Sequence, residues 1–395
     1  MQFYNKSFAA ILLFICASEL NAQVLSATQQ EAVMKTKQGS TVQLQGFLSE
    51  SIPSINYKKI ILPGPQFLIS DDPEYIKTPE GAVLKEMVQP GAVRLYIYNV
   101  NGVKQPEKMA RKITAVIKNT GTGKMCIRML RYSSQKPSTN YYQIGKQGLA
   151  DYFASVPENK ARIVKPGESI AIDEKLEKNI VQYNELVHGF YEFVIDQPAE
   201  ITILQTAPEV NGTEALKRIT KVESSSHTNA GRGLFGVSNY KVIADTVMDT
   251  KNTAMAIVVA DGEKDPWVVG IDGSRGVQAE LSGNYGVMYQ IEIKWKSTNG
   301  KGLALVTWNS RSGNSLWCGG MATSMIVSKG KFKEGIIQLP SDKLITTASP
   351  EAVVAQIFLP DGTGKEQTIR LTFSPPGASC LPVPLIFVPV EIKDK

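Results

Sequence analysis

Two aromatic segments hold the residues whose types and spacing best fit a binding site. Residues 308–317 place two tryptophans around amide, hydroxyl and guanidinium groups, and residues 137–142 end in two adjacent tyrosines. An apolar ring face beside hydrogen-bonding groups suits a sugar, which presents both an apolar face and hydroxyls. The alternative is that both tryptophans belong to the core and flank a polar loop. The candidate ligand-binding residues are Trp308, Asn309, Arg311, Asn314, Trp317, Asn140, Tyr141 and Tyr142.

Metal and cofactor chemistry has little support in the sequence. The chain has two histidines, His188 and His227, which excludes a three-histidine metal site within one chain. We predict that His188 is a structural hydrogen-bonding residue and that His227 is solvated. Residues 231–236, Gly-Arg-Gly-Leu-Phe-Gly, fit a dinucleotide-binding spacing. No strand leads into this motif and no helix follows it, so we interpret it as a glycine-rich entry to the second domain. We assign no metal, cofactor or catalytic residue.

The cysteines predict one disulfide. Cys126, Cys318 and Cys380 follow the N-terminal apolar segment, and an odd number leaves one thiol unpaired within the chain. We predict a disulfide between Cys318 and Cys380, which share the second half of the chain, and a reduced Cys126. Closing this loop of 62 positions would stabilise the protein by about 4 kcal/mol in the chain-entropy model. The alternative is that all three cysteines are packing residues. A distance of more than ~7 Å between the Cα atoms of Cys318 and Cys380 would favour this alternative.

The N-terminus predicts export. Residues 1–22 have the parts of a secretory signal peptide, with an apolar run at 8–17 and Ala22 at the expected cleavage edge before Gln23. The run is shorter than the roughly 20 residues of a membrane span, and no later apolar run is long enough. We expect a secreted, periplasmic or cell-surface protein that begins near Gln23. A lipid-modified start at Cys16 is the alternative.

The charge pattern argues against a nucleic-acid partner. The formal net charge is +6, from 43 Lys and Arg against 37 Asp and Glu, and the basic residues are scattered along the chain. Nothing resembles a nucleic-acid-binding module. A solvated surface is the preferred interpretation of these charges, and a weak attraction to anionic polymers is the alternative.

Alternating apolar and polar residues predict a mainly β protein. In residues 285–296 six apolar side chains alternate with six others, as in a strand with one buried face. Residues 113–131 and 291–309 each predict a hairpin with a Gly- and Asn-containing turn, and their similarity leaves a duplication open. One short helix begins near Ser138 or Thr139, which can cap it, and runs to about Ala154. The fold class is two tandem β-sandwich-like domains, with this helix in the first.

The predicted domain boundaries follow changes in composition. Residues 211–230 are the predicted linker, where limited proteolysis is expected, and within them residues 224–230 have no apolar periodicity. A short helix that begins at Ser26, with Gln29 completing a capping box, is predicted in the N-terminal extension. The segments are 1–22 signal peptide, 23–50 extension, 51–210 first β-sandwich-like domain, 211–230 linker and 231–395 second β-sandwich-like domain.

Five short segments carry a resemblance to known proteins. They are residues 68–75, 93–102, 137–142, 231–236 and 283–289. With these segments the chain resembles a group of uncharacterised secreted β-rich proteins of Firmicutes. Some members have an extra domain similar to the N-terminal domain of copper amine oxidases, which this sequence lacks. The resemblance implies secretion and a repeated β-fold, and it implies no activity and no catalytic residues.

The sequence favours a secreted or envelope-associated, non-enzymatic binding protein with a glycan or protein partner. One alternative is a hydrolase of envelope polymers with paired carboxylates, for which Glu192 and Asp196 share a predicted strand face. The other is a structural subunit that assembles at the cell surface through its sheet edges.

Overall fold

The computed structural model describes residues 24–49, 52–225, 231–311 and 318–392. The protein is mainly β, with 45% of the described residues in strands and 10% in helices, and its fold is sandwich-like, as the sequence predicts. The helices of the described residues are α1 Ala27–Lys35, α2 Tyr141–Ala154, α3 Glu174–Lys178 and α4 Gly212–Leu216, with a 3₁₀ turn at Phe47–Ser49.

The strands are short and distributed over the whole described chain. The first half contains β1 Thr41–Gln43, β2 Tyr57–Leu62, β3 Gln66–Ser70, β4 Tyr75–Ile76, β5 Gly81–Val88, β6 Gly91–Asn101, β7 Lys112–Asn119, β8 Met125–Ser134, β9 Arg162–Val164, β10 Ser169–Ala171, β11 Leu186–Ile195 and β12 Ala199–Thr206. The second half contains β13 Arg232–Phe235, β14 Asn239–Ala244, β15 Met248–Asp249, β16 Met255–Ile257, β17 Val268–Asp272, β18 Val277–Leu281, β19 Met288–Lys296, β20 Gly302–Trp308, β21 Thr323–Val327, β22 Gly335–Leu339, β23 Glu351–Phe358, β24 Gln367–Phe373 and β25 Leu385–Val390.

These strands form four sheets. Sheet 1 has the order β10-β7-β12-β5, and sheet 2 has the order β18-β17-β13-β3-β6-β11-β8-β9, with β4 also on β6. Sheet 3 has the order β2-β14-β19-β24-β21-β22, with β15 also on β19, and sheet 4 has the order β1-β23-β20-β25-β16. One apolar core lies between sheets 1 and 2, and a second joins sheets 3 and 4 with α2 and the other face of sheet 2.

Strand β6 lies in the part of sheet 2 that is covered on both faces. Val93, Leu95 and Ile97 pack in the core shared with sheet 1, whereas Tyr96 and Tyr98 pack in the core shared with α2 and sheets 3 and 4. Side chains alternate between the two faces of a strand, so odd and even positions of β6 belong to different cores. This strand therefore fixes two layers of the protein relative to each other.

The sheets cross the boundary predicted at residues 211–230. Strand β2 pairs with β14, and β3 pairs with β13, so strands from 51–210 lie beside strands from 231–395. The described part of the predicted linker also holds regular structure. Helix α4 is capped by Asn211, and the Gly212 N–H donates to Glu177 at 2.9 Å. Residues 51–210 and 231–395 therefore share hydrogen-bonded sheets, and the predicted boundary does not separate them.

Both predicted hairpins are wrong. Strands β7 and β8 lie in sheets 1 and 2, and β19 and β20 lie in sheets 3 and 4, so each turn carries the chain from one sheet to another. At the first crossing the Asn119 side-chain amide donates to the Gly123 and Val164 carbonyls. Alternation shows that a strand has a buried face, but it does not identify the neighbouring strand. The same pattern therefore fits a hairpin and a crossing.

The helix starts show how local capping residues compete. The predicted capping box between Ser26 and Gln29 is confirmed at the start of α1. Helix α2 ends at Ala154 as predicted, but its cap is Asn140, whose side chain accepts from the Gln143 N–H. The Ser138 hydroxyl instead accepts from the Asn140 N–H and supports the turn before the helix. The N-terminal extension belongs to the fold, because β1 pairs with β23 and α1 buries Val33.

A buried arginine joins the two halves of the chain. Arg232 on β13 is 1% exposed, and its Nε donates to Asp272 Oδ2 at 2.8 Å. One terminal nitrogen donates to three backbone carbonyls, those of Asp72, Val83 and Glu223. A buried charge needs such partners, since burial without them costs several kcal/mol. Arg232 therefore connects β17, the segment after β3, strand β5 and the segment after α4.

The glycine motif at 231–236 has a structural explanation. Gly233 has a φ of +125°, and a Cβ there would lie 2.2 Å from the Ile271 carbonyl oxygen. Strand β13 passes this close to β17 only because residue 233 has no side chain. The motif forms a strand between β3 and β17 rather than a turn before a helix. This arrangement agrees with our interpretation that the motif is not a phosphate-binding loop.

Replacing Arg232 tests its contribution to folding. We expect Arg232→Gln to lower the free energy of unfolding by about 3 to 5 kcal/mol, because Asp272 and three carbonyls lose a buried partner. Arg370→Gln is the control. Its ion pair with Glu292 spans 4.0 Å and its side chain is 71% exposed, so a change below about 1 kcal/mol is expected. Urea unfolding measures both variants, and equal changes would contradict the assignment.

Candidate ligand-binding cleft

Six tyrosines meet in one cleft of about 330 Å³. This volume falls in the range of roughly 300 to 1,000 Å³ that is usual for ligand sites. The carboxylates of Asp71 and Glu74 and the small residues Gly377 and Ala378 complete its walls. We call it the tyrosine cleft, and its tyrosines are Tyr75, Tyr96, Tyr98, Tyr141, Tyr142 and Tyr285.

Strand β6 positions the floor of the cleft. Tyr96 and Tyr98 are consecutive residues on one face of this strand, and both are buried. The Tyr96 ring packs edge-on against Phe190 at 5.1 Å between centroids, and its hydroxyl accepts from the Gly377 N–H at 2.9 Å. A Cβ at Gly377 would lie 2.3 Å from the Tyr98 ring. Residue 377 must therefore lack a side chain for the segment before β25 to lie against the two rings.

The first turn of α2 supplies a second wall. Tyr141 donates its hydroxyl hydrogen to the Asn184 carbonyl at 2.8 Å, and its oxygen lies 3.3 Å from the Tyr75 hydroxyl. The Tyr142 hydroxyl accepts from the Gly319 N–H. The cap at Asn140 determines where α2 begins. It therefore also determines the positions of Tyr141 and Tyr142, the first two residues of the helix.

A disulfide holds the third wall. Cys318 and Cys380 are bonded, with Cα atoms 5.5 Å apart, inside the ~7 Å limit that the sequence argument set. The Cys380 N–H donates to Gly320, and the Arg311 Nε–H donates to Leu381. Through the bond between Gly319 and Tyr142, the segment before β21 also contacts α2. Tyr142 of one predicted aromatic segment and Arg311 of the other therefore each contact a residue next to a cysteine of this disulfide.

The remaining candidate residues have different positions. Trp308 ends β20 and packs against the core between sheet 4 and the N-terminal extension, which matches the alternative that it is a core residue. Asn309 is buried and accepts from the Arg311 N–H, and Asn140 caps α2. None of these three lines the tyrosine cleft. Asn314 and Trp317 lie outside the described residues.

Asp71 has an unusual electrostatic environment. Burial raises the pKa of this carboxyl well above its ordinary value, and the negative charges of Glu74 and Asp72 raise it further. Within the described ranges Asp71 has no hydrogen-bond or ion-pair partner. Burial raises the pKa of Tyr98 and Tyr285, and the charge of Asp71 contributes to both shifts. Asp71 therefore shares the cleft with these tyrosines, and among the described residues no hydrogen bond joins its carboxylate to them.

The carboxylate pair behind the hydrolase alternative does not converge. Glu192 accepts from Arg94 at 2.8 Å and from the Tyr152 hydroxyl at 2.9 Å, whereas Asp196 accepts from the Cys126 N–H at 2.7 Å. Four residues along an extended strand span about 13 Å. Paired catalytic carboxylates of glycosidases lie roughly 5 to 9.5 Å apart. Each of the two acids therefore serves a separate local contact.

His188 is a packing residue. It is buried, its ring packs edge-on against Tyr96, and burial lowers its pKa to about 4, so the ring is neutral at pH 7. Its Nδ1 has no hydrogen-bond partner in the part of the chain that the structure describes. The predicted hydrogen-bonding role is thus wrong for this nitrogen, and aromatic packing takes its place. His227 lies outside the described residues.

Most of the cleft was not predicted from the sequence. Tyr141 and Tyr142 were predicted as site residues, but Asp71, Tyr98 and Tyr285 were not. Isolated tyrosines on predicted strands usually belong to the core. A signal was present. Four of the five resemblance segments, 68–75, 93–102, 137–142 and 283–289, each contain residues that line the cleft.

Comparison with known proteins adds no functional assignment. No family model matches the chain, and no curated protein matches it. Among solved structures, the CUB1-EGF-CUB2 domain of human MASP-1/3 aligns over 78% of this chain and 100% of its own, at 8% identity and a TM-score of 0.18. A similarity this low carries no argument. The described residues contain no group of three or more potential metal ligands and no helix long and apolar enough to cross a membrane.

Removing the disulfide tests its role in the third wall. We expect the double variant Cys318→Ser, Cys380→Ser to lose about 4 kcal/mol of unfolding free energy, since it removes the closure of a long loop. Cys126→Ser is the matched control, because Cys126 is a free, half-exposed cysteine, and we expect a change below about 1 kcal/mol. Urea unfolding without reductant gives both values. A double variant as stable as the control would contradict the assignment.

Proposed function

We propose that this chain is an exported, non-enzymatic binding protein and that its ligand is a glycan held in the tyrosine cleft. The convergence of six tyrosines from separate segments on one cleft is the observation that carries the proposal. Tyrosine offers an apolar ring for the face of a sugar and a hydroxyl for its edge. Export is proposed from the signal-like sequence at residues 1–22.

The hydrogen-bonding state of the cleft supports a polar ligand. The hydroxyls of Tyr98 and Tyr285 have no hydrogen-bond partner among the described residues, and Tyr98 is 5% exposed. Both tyrosines line the cleft, so a ligand or water that enters it can pair with their hydroxyls. A sugar supplies several hydroxyls within a small volume and can satisfy both tyrosines together.

A second candidate function is hydrolysis of the bound glycan. The observation in its favour is the raised pKa of Asp71, because a general acid at neutral pH needs a carboxyl that keeps its proton. Glu74 is the second carboxylate of the cleft. Incubating glycans with the protein and analysing them by mass spectrometry separates the two functions. Intact glycan supports binding alone, whereas shortened products that Asp71→Asn abolishes support the hydrolase.

Loss of one tyrosine ring tests the binding site. Tyr75 is 39% exposed, so Tyr75→Ala removes a cleft wall at little cost to folding. We expect the Tyr75→Ala variant to bind glycans selected on an array about tenfold more weakly than the natural protein, because it loses one aromatic contact. Tyr132→Ala is the matched control, because Tyr132 is half-buried, packs against the core between sheets 1 and 2 and does not line the cleft.

Titration calorimetry with the tightest array glycan measures the dissociation constants, and thermal melts of both variants confirm folding. Equal affinities for the two variants would contradict a glycan site in the tyrosine cleft. So would an array on which the natural protein binds no glycan at all.

A further inference from the structure

We propose that the glycan of the tyrosine cleft carries a free ammonium group, as a hexosamine without its N-acetyl group does, and that the ammonium binds beside Asp71. The inference rests on the proposed function and names the chemical class of its ligand. Three features of the described residues lead to it: a carboxylate without a partner, tyrosine rings and hydroxyls around that carboxylate, and the absence of a protein cation bonded to it.

The carboxylate of Asp71 lacks compensation within the protein. It is only partly exposed, and in the described ranges no side chain or backbone N–H bonds to it. Its neighbours Glu74 and Asp72 carry the same charge and make ionisation harder. The buried acid Asp272 of sheet 2, by contrast, has a partner in Arg232 at 2.8 Å. An ionised carboxylate in such a place gains most from a cation that arrives with the ligand.

The tyrosines around Asp71 favour the same ligand. Asp71 lines the same cleft as Tyr96, Tyr98 and Tyr285, and its charge contributes to the raised pKa values of all three. An ammonium group over the face of an aromatic ring is attracted by the electrons of that face. Tyr98 is 5% exposed, and its hydroxyl oxygen can accept a hydrogen bond from the ammonium. A neutral sugar would use the rings and hydroxyls but leave the carboxylate uncompensated.

Among the residues that the structure describes, no cation fills this role. Arg311 influences the cleft, since its charge lowers the pKa of Tyr285 against the larger effect of burial. Its Nε is bonded to the Leu381 carbonyl, and in the described part of the chain it forms no ion pair with Asp71. Residues 312–317, which follow it, have no ionisable side chain in the sequence. The protein has a formal net charge of +6 and repels cations at long range. A preference for a cationic glycan would therefore come from a local site.

Two oligosaccharides that differ only in N-acetylation test the inference. The probes are the β-1,4-linked tetramers of glucosamine and of N-acetylglucosamine, titrated at pH 7 and constant ionic strength into the full chain. We expect the glucosamine tetramer to bind about tenfold more tightly, the effect of one charge-assisted contact in a partly buried site. Asp71→Asn should reduce this preference to about twofold or less while leaving the affinity for the acetylated tetramer nearly unchanged.

Matched variants separate local from general charge effects. Asp361 is an exposed aspartate in the loop between β23 and β24, at the end of β24 remote from Gly377. The Asp361→Asn variant should keep the full preference for the glucosamine tetramer. Tyr98→Phe removes only one hydroxyl and should weaken binding of the glucosamine tetramer without unfolding the protein. It tests the same site in case Asp71→Asn alters the local structure.

The outcomes distinguish the inference from the proposed function. Equal binding of both tetramers, unchanged in Asp71→Asn, overturns the ammonium site and leaves the glycan-binding function standing. Binding of neutral array glycans but of neither tetramer does the same. If no array glycan and neither tetramer binds, the proposed function fails, and the inference fails with it. A glucosamine preference that Asp361→Asn abolishes as fully as Asp71→Asn overturns the local site.

Discussion

Strand β6 is buried on both faces, and this burial fixes the layers on either side of it relative to each other. Residues 93–101 are buried without interruption, and their side chains alternate between the core with sheet 1 and the core with α2 and sheets 3 and 4. A shift of one residue would exchange Leu95 and Ile97 with Tyr96 and Tyr98 and disrupt both cores at once. The register of β6 is therefore strongly determined, and with it the position of the two tyrosines at the floor of the cleft.

The walls of the cleft come from distant parts of the chain, and each is held by a contact that tolerates little change. The segment before β25 lies against Tyr98 because residue 377 is a glycine, and the disulfide from Cys318 to Cys380 fixes that segment to the one before β21. Arg232 stabilises sheet 2, which contains β6, at the pairing of β13 with β17. Rigid surroundings of this kind reduce the cost of ordering a ligand site and preserve the spacing between its rings.

Local sequence signals predicted local structure well and pairing poorly. The alternation of buried and exposed side chains in β19 and the capping box at Ser26 depend on residues a few positions apart. Both could therefore be predicted from the local sequence. The partner of β7 depends on strands about 50 to 90 positions away, and a local turn signal at 119–123 suggested the wrong neighbour. The cleft could not be predicted for the same reason, because Asp71, Tyr98 and Tyr285 lie on three distant segments that meet only in the folded protein. The side-chain burial of Trp308, by contrast, matches the alternative that the sequence argument already contained.

A crystal structure of the protein with the glucosamine tetramer tests the central claim most directly. We expect one sugar ring against the tyrosines of the cleft, with its ammonium nitrogen about 3 Å from an oxygen of Asp71 and from the Tyr98 hydroxyl. We also expect little movement of β6 or of the disulfide-linked wall on binding. A tetramer bound elsewhere on the protein, or one in the cleft with its ammonium directed to solvent and Asp71 still unpaired, would contradict the proposed ammonium site.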